Sequence, residues 1–223
     1  YKRQVLALTA DCSAFPKREL DETHRLCAEM GVTHLNIKIN QLRIDGFVKN
    51  TPLRCYYCKR ELMSRLIKAA QEKGFDTVFE GSNADDDNDY RPGMRAVKEL
   101  GVLSPLKNAE LTKSEIRRLS KALGLSTYSK PSLACLATRI EYDEEITAQK
   151  LKMTDEAEQV LCDLGLTQVR VRMNDNSARI EVPLDEMKTV FDNAKYINDA
   201  LKKIGYDFVS LDLEGYKTGK MNI

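Results

Sequence analysis

The sequence lacks long apolar runs, an excess of charge of either sign, and low-complexity tracts. No run approaches the roughly 18 apolar residues of a membrane-spanning helix, and residues 1–20 lack the apolar core of a signal peptide. We therefore expect a cytoplasmic protein. The formal net charge is +1 with acidic and basic residues mixed along the chain, so no basic face is expected to bind nucleic acid non-specifically.

Histidine is also scarce, and cysteine is moderately frequent. His24 and His34 are the two histidines, and we expect them to be surface or packing residues. In a reducing compartment, closely spaced cysteines more often bind metal or take part in catalysis than form disulfides. Of the six cysteines, three are assigned to packing: Cys12, Cys27 and Cys162.

Strand and helix patterns alternate over the first 130 residues or so. We predict that Gly31 ends the first helix, that 76–80 is a buried strand, and that Thr112 and Glu115 form a capping box. This order favours an α/β fold with a parallel sheet covered by helices on both faces. After about residue 145 the pattern changes to a helix (147–164), a hairpin (168–183), a helix (185–204) and a strand (207–213). We expect two domains, 1–142 and a small α+β domain at 143–223.

A glycine-containing acidic loop, EGSNADDDNDYRPG (80–93), follows the predicted strand. Ligands of an open α/β sheet bind at the carboxyl ends of its strands, where Gly81 would let the backbone approach a ligand closely. Four carboxylates of this loop could bind Mg²⁺: Asp85, Asp86, Asp87 and Asp89. Arg91 could offset their charge, and a solvated acidic loop is an equally good interpretation.

Two cysteines three positions apart, Cys55 and Cys58, lie at the predicted start of a helix in TPLRCYYCKREL (51–62). A third, Cys135, lies in the connector YSKPSLACLATRIEYDEE (128–145). Three thiolates suit a metal site with one open position. The helix N-terminus and three basic neighbours favour the thiolate form: Arg54, Lys59 and Arg60. The alternative is a pair of half-buried thiols without a ligand.

Arginines mark a second candidate site. Arg170 and Arg172 point to one face of a predicted strand, so their guanidinium groups could bind a phosphate side by side. The alternative is a hairpin surface with ion pairs to Glu181. Arg139 is a further candidate, and Glu158 is either an acid or base or a surface carboxylate.

Three segments together resemble one family: TPLRCYYCKREL, EGSNADDDNDYRPGMRAVKELGVLSPL and KPSLACLATRI. They are similar to the LarE-type ATP-dependent sulfur transferases of the PP-loop, or adenine-nucleotide alpha-hydrolase, superfamily. The resemblance extends from residue 1 to about residue 215. It implies a truncated Rossmann-like PP-loop domain followed by a substrate and oligomerisation domain.

The resemblance implies a two-step reaction in nickel pincer cofactor biosynthesis. ATP, with Mg²⁺, adenylates a carboxylate of pyridinium-3,5-biscarboxylate mononucleotide, and a sulfur nucleophile then displaces AMP to leave a thiocarboxylate. Some members sacrifice the sulfur of one cysteine, whereas others bind a [4Fe-4S] cluster through three. This chain resembles the second type, which implies Cys55, Cys58 and Cys135 as ligands, a sulfide donor as partner, and a homo-oligomer.

The family's phosphate loop, of the SGGxDS type, does not occur in these residues. We expect it to precede them in a longer chain, because a sheet without its central strand leaves apolar edges bare. The remaining ATP contacts implied by the resemblance are Thr9 and Ala10 in LTAD, together with Gly81, Asn83 and Asp85.

The resemblance also assigns the substrate site. Arg139, Arg170 and Arg172 match positions that bind the phosphate of the mononucleotide, and Glu158 matches an acidic position. Cys135, Glu158 and Arg139 are the catalytic candidates.

Two other functions compete with sulfur transfer to a mononucleotide. A PP-loop enzyme that thiolates tRNA can also use three cysteines, but it should show a basic patch. A non-enzymatic zinc-binding scaffold would use the cysteines structurally. Gel-shift with tRNA and the metal content of anaerobically purified protein separate these alternatives.

Overall fold

The computed structural model describes residues 5–88 and 91–217, and the chain divides into two units. The first unit contains the residues up to 12, then 17–47 and 51–132, and the second contains 13–16, 48–50 and 133 onward. The long segment of the second unit starts at Leu133, and the domain boundary between residues 142 and 143 stays a prediction. No helix within the described ranges is long and apolar enough to cross a bilayer.

The first unit begins with a strand–helix–strand segment. Strand β1 (Leu6–Asp11) pairs in parallel with β2 (Thr33–Lys38), and helix α1 (Lys17–Met30) connects them. Gly31 ends α1 with a left-handed φ of 63°, and the Val32 N–H donates to the Cys27 carbonyl across that turn. This confirms the helix end predicted at Gly31.

Five α-helices lie in the described part of the rest of this unit. They are α2 (Asp45–Val48), which reaches the boundary with the second unit, α3 (Arg54–Glu72), α4 (Gly93–Glu99), α5 (Pro105–Asn108) and α6 (Lys113–Ala122). Short 3₁₀ turns lie at Gln41–Arg43, Ala84–Asn88 and Ser126–Ser129. The predicted capping box is confirmed, because Thr112 and Glu115 each accept a hydrogen bond from the other's backbone N–H at the start of α6.

The segment 76–80 differs from its prediction. It forms one parallel bridge, in which Glu80 N donates to Leu103 O (2.9 Å) and Leu103 N donates to Val78 O (3.0 Å). Phe79 is 63% exposed, so the prediction of a buried strand was wrong. A single bridge has too few neighbours to cover such a side chain. The fold is mixed α/β with a parallel two-stranded sheet and a separate three-stranded sheet, and the PP-loop architecture stays a prediction.

The second unit follows the helix–strand–strand–helix–strand order expected from the sequence. It contains α7 (Ala148–Asp163), β3 (Arg170–Asn174), β4 (Ser177–Glu181), α8 (Met187–Asp192), α9 (Ala194–Ile204) and β5 (Phe208–Leu211). The single helix predicted at 185–204 is two helices that meet at Asn193. Strand order is β3-β4-β5, antiparallel between the first two and parallel between the last two.

The three-stranded sheet has one apolar and one polar face, because successive side chains of a strand alternate. Its apolar face joins a buried core with α7 and α9: Ala157, Leu161, Val171, Met173, Ala178, Ile180, Ile197 and Leu201. Arg170, Arg172 and Arg179 lie on the other face, as their register shows. Alternation in the sequence thus places the arginines away from the core.

Candidate functional site

The cysteine pair lies in the first two turns of α3. Cys58 is buried and its Sγ accepts a hydrogen bond from the buried Gln41 amide at 3.0 Å, whereas Cys55 is exposed. Gly93 of α4 packs close to the Cys55 carbonyl, since a Cβ there would lie 3.3 Å from that oxygen. Two cysteine side chains on adjacent turns of one helix are chemically suited to binding a thiophilic metal.

Cys135 precedes a 3₁₀ turn (Leu136–Arg139) in the second unit and is half-buried. Its backbone is held by neighbours: Arg139 Nη1 donates to the carbonyls of Ala134 (2.9 Å) and Cys135 (3.2 Å), and Thr138 Oγ1 donates to Cys135 O (2.8 Å). These bonds fix the direction in which the chain presents Cys135.

No group of three His, Cys, Asp or Glu side chains that could hold a metal ion occurs among the residues described. The cysteine pair and Cys135 belong to different units. Their donor chemistry fits an iron–sulfur cluster, which prefers thiolate ligands. The three-cysteine site therefore stays a prediction.

Arg139 and Glu158, two of the catalytic candidates, form a buried ion pair. Arg139 Nε donates to Glu158 Oε1 (2.7 Å) and Nη2 donates to Oε2 (3.0 Å), with side chains 0% and 1% exposed. Glu158 Oε1 also accepts from the backbone N–H of Val171 on β3 (3.1 Å). The pair thereby ties α7 to β3 and to the Cys135 loop.

A cavity of about 620 Å³ opens on the second unit, within the size range of ligand pockets. Its lining includes Arg139, Arg172 and Arg179, with Thr138, Ser177 and Ser210 supplying hydroxyl groups. One carboxylate, Glu141, also lines it and accepts a hydrogen bond from Asn174 (2.8 Å). The lining is basic, so the cavity is suited to an anion.

The two arginines predicted on the hairpin have different surroundings. Arg172 donates to Glu181 through Nε (3.1 Å) and pairs with the same oxygen through Nη2 (3.0 Å), which realises the ion pair considered from the sequence. Arg170 is buried, donates to Val169 O, and lies 5.2 Å from the Tyr216 ring centroid. Burial lowers the pKa of Arg170, and the charge of Arg139 adds to this effect.

In the acidic loop, Asp85 and Asp86 stabilise the local fold. Asp86 is buried, accepts from the Asn83 N–H (3.0 Å) and pairs with Arg91 (2.7 Å), as its charge led us to expect. Asp85 accepts from the Lys113 N–H (2.8 Å). The Cβ position of Gly81 faces open space. Asp89 and the side chain of Asp87, both in the Mg²⁺ prediction, lie outside the described residues.

Thr9, a candidate nucleotide ligand near the carboxyl end of β1, contacts a histidine. Its hydroxyl lies 2.9 Å from His34 Nε2 on β2, and the His34 and His24 rings pack edge to face with centroids 4.7 Å apart. Ala10 follows on β1, where its carbonyl accepts from the Cys12 thiol (3.5 Å). Burial, and then the charge of His24, lowers the pKa of His34.

Sequence reasoning missed three polar residues that the structure places at these sites. Gln41 contacts Cys58, Glu80 accepts from Ser82 and Ser104 beside the acidic loop, and Arg179 lines the cavity. Gln41 and Glu80 carried no motif of their own. Arg179 could have been found, because SARIE alternates in the same way as VRVRM.

Comparison with known proteins gives the family. No family model matches the chain. The chain is 33% identical over 218 residues to the pyridinium-3,5-bisthiocarboxylic acid mononucleotide synthase of Lactiplantibacillus plantarum, covering 98% of this chain and 79% of that protein. The chain belongs to this synthase family. With 218 of the 223 residues matched, the similarity to the synthase extends over both units.

Two uncharacterized proteins are also similar to the chain. One, from Synechocystis, is 37% identical over 99% of this chain and 83% of its own length. The other, from Methanocaldococcus jannaschii, is 33% identical over 83% of this chain and 71% of its own length.

Proposed function

We propose that the protein is an ATP-dependent sulfur transferase that converts pyridinium-3,5-biscarboxylate mononucleotide to its thiocarboxylate, as a step in nickel pincer cofactor biosynthesis. The observation that carries this proposal is the 33% identity to the named synthase over 98% of the chain. A basic cavity of ligand size and a cysteine pair with one exposed member, Cys55, support it.

The proposed chemistry has two balanced steps. A substrate carboxylate oxygen attacks the α-phosphorus of ATP, forming an acyl adenylate and releasing pyrophosphate. A sulfur nucleophile then attacks the acyl carbon, so that a C–S bond forms and the C–O bond to AMP breaks. Both steps need the reacting groups held in position and the phosphate charges offset.

The first unit is proposed to bind ATP. Thr9 and Ala10 would contact the nucleotide at the carboxyl end of β1, with Gly81, Asn83 and Asp85 contributing from the acidic loop. The open space at Gly81 and the order that Asp85 imposes on the loop support this assignment. Mg²⁺ would accompany the triphosphate.

Cys55, Cys58 and Cys135 are proposed to hold a [4Fe-4S] cluster. Bound there, the cluster would hold the sulfide that is transferred. The hydrogen bond from Gln41 to Cys58 supports the assignment, because donors to sulfur stabilise the anionic ligand form. The buried Arg139–Glu158 pair would orient the Cys135 loop, which makes these two positioning residues; a proton-transfer role for Glu158 stays a prediction.

The proposal is tested with full-length, anaerobically reconstituted protein. It is incubated with ATP, Mg²⁺, sulfide and the biscarboxylate nucleotide, and the product is weighed by mass spectrometry. We expect a mass gain that matches replacement of one oxygen by sulfur. Replacing any of the three cysteines by serine should abolish that gain while pyrophosphate release continues, and Cys162→Ser is the matched control. Full activity in all three variants, or zinc in place of iron, would contradict the cluster assignment.

A further inference from the structure

A row of polar side chains crosses the three-stranded sheet of the second unit. Arg172 on β3 is the register partner of Arg179 on β4, which in turn is the partner of Ser210 on β5. Register partners project from the same face of a sheet. All three residues line the cavity described above, together with Ser177, two residues before Arg179.

The other arginines near the cavity are held by protein groups. Arg139 is 1% exposed and its guanidinium donates to Glu158 and to backbone carbonyls. Arg170 is buried and is not part of the cavity lining. Arg172 is 14% exposed at its side chain and donates to Glu181 and, through Nη1, to Thr138 O at 2.7 Å.

Arg179 is held more loosely. Its Nη2 lies 3.6 Å from Glu181 Oε1 and its Nε lies 3.4 Å from Asp212 Oδ2, and its side chain is 51% exposed. These distances exceed those of good charge-assisted hydrogen bonds, which are roughly 2.7–2.9 Å. A modest rotation of the side chain would therefore exchange two weak ion pairs for stronger bonds to a ligand.

The opposed arginines also favour an anion between them. Like charges directly across an antiparallel pair are destabilising. Glu181 offsets this repulsion through a close ion pair with Arg172 and a longer one with Arg179, and Asp212 forms a further long ion pair with Arg179. A phosphate monoester carries up to two negative charges and several acceptor oxygens. It would match the fork of Arg179 and the hydroxyl groups of Ser177 and Ser210.

We infer that Arg179 binds the phosphate monoester of the mononucleotide substrate, with Ser177 and Ser210 as additional donors and Arg172 beside it. This inference rests on the proposed function. It adds Arg179 to the phosphate ligands that the family resemblance implies. It also makes Arg139 a positioning residue instead of a phosphate ligand.

The test compares two ligands that differ only in the phosphate. Isothermal titration of the full chain measures Kd for the biscarboxylate mononucleotide and for the corresponding nucleoside. We expect Arg179→Ala to weaken mononucleotide binding about tenfold or more and to leave nucleoside binding unchanged. Arg179→Lys keeps the positive charge but loses the forked guanidinium. Its affinity for the mononucleotide should lie between those of Arg179→Ala and the unaltered protein. Lys188→Ala, at an exposed ion pair of the same unit, is the matched control.

Equal mononucleotide affinity in Arg179→Ala and the unaltered protein would overturn the inference, and so would an equal loss for both ligands. Thermal melting shows whether each variant is folded. If the unaltered protein binds neither ligand, the proposed function fails, and titration with inorganic phosphate decides the inference separately. Phosphate binding that depends on Arg179 would then support the anion site, and phosphate binding that is absent or unaffected by the substitution would refute it.

Discussion

Replacing Glu158 by glutamine should destabilise the second unit by about 3 kcal/mol, because it leaves a buried guanidinium without its counter-charge. The Glu158 carboxylate accepts two hydrogen bonds from Arg139 and one from the Val171 N–H. Hydrogen bonds to charged groups are worth roughly 1.5–3 kcal/mol each, and the amide oxygen of glutamine can replace part of this. Arg139 also keeps its hydrogen bonds to Ala134 O and Cys135 O. The expected loss of unfolding free energy therefore lies near the lower end of the roughly 3–5 kcal/mol that breaking a buried ion pair costs.

The assay is amide hydrogen exchange followed by mass spectrometry, which reports the opening free energy of peptides in α7 and β3. Urea unfolding by circular dichroism supplements it, since the chain has no tryptophan to serve as a fluorescent probe. Glu156→Gln on the same helix is the control, because its ion pair with Lys152 is exposed and 3.6 Å long, and we expect a change below about 0.5 kcal/mol.

A double variant separates the charge effect from packing. Arg139→Met with Glu158→Met replaces both charges by apolar side chains and should cost less than Glu158→Gln alone, since no unpaired charge stays buried. A loss of unfolding free energy below about 1 kcal/mol in Glu158→Gln would refute this reasoning. So would a double variant whose loss equals the sum of the losses in Arg139→Met and Glu158→Met.

Three further predictions concern the other elements. Thr112→Ala should lower the opening free energy of α6 amides by about 1 kcal/mol, because it removes the capping box. Unchanged hydrogen-exchange rates in α6 would contradict this prediction. Because His34 has a lower pKa in the folded state than its usual 6.5, the unfolded chain binds more protons, so stability of the first unit should fall as pH drops below about 6.5. In urea titrations at several pH values, His34→Asn should show a smaller change of unfolding free energy with pH. The same pH dependence in both proteins would contradict this prediction. Burial raises the pKa of Tyr206 to about 12, so above pH 10 the unfolded state loses its proton first. Between pH 10 and pH 12 the free energy of unfolding should fall by up to about 3 kcal/mol more in the unaltered protein than in Tyr206→Phe. Parallel pH profiles of the two proteins would contradict this prediction.

Local patterns in the sequence predicted most elements of the second unit. Alternation in VRVRM and SARIE identified both strands of the hairpin and the face on which Arg170 and Arg172 lie. Gly31 and Thr112 marked helix ends by conformational and hydrogen-bonding preferences that act within one turn. Such signals are readable because the interacting groups are close along the chain.

The strand expected at 76–80 shows the limit of these patterns. Its apolar run indicated burial, yet burial depends on which elements cover a segment, and Phe79 is largely exposed. Propensity and apolar content describe a segment by itself, whereas a sheet needs partners distant in sequence.

Local patterns were sufficient for the strands of the second unit, the helix ends at Gly31 and Thr112, the spacing of Cys55 and Cys58, and the resemblance to the family. The partners of the charged side chains became known from the fold: Glu158 for Arg139, Glu181 for Arg172, and Glu181 with Asp212 for Arg179 at the cavity. A guanidinium bonds to whichever acceptors the folded chain brings within about 3 Å, and no local pattern fixes that neighbourhood.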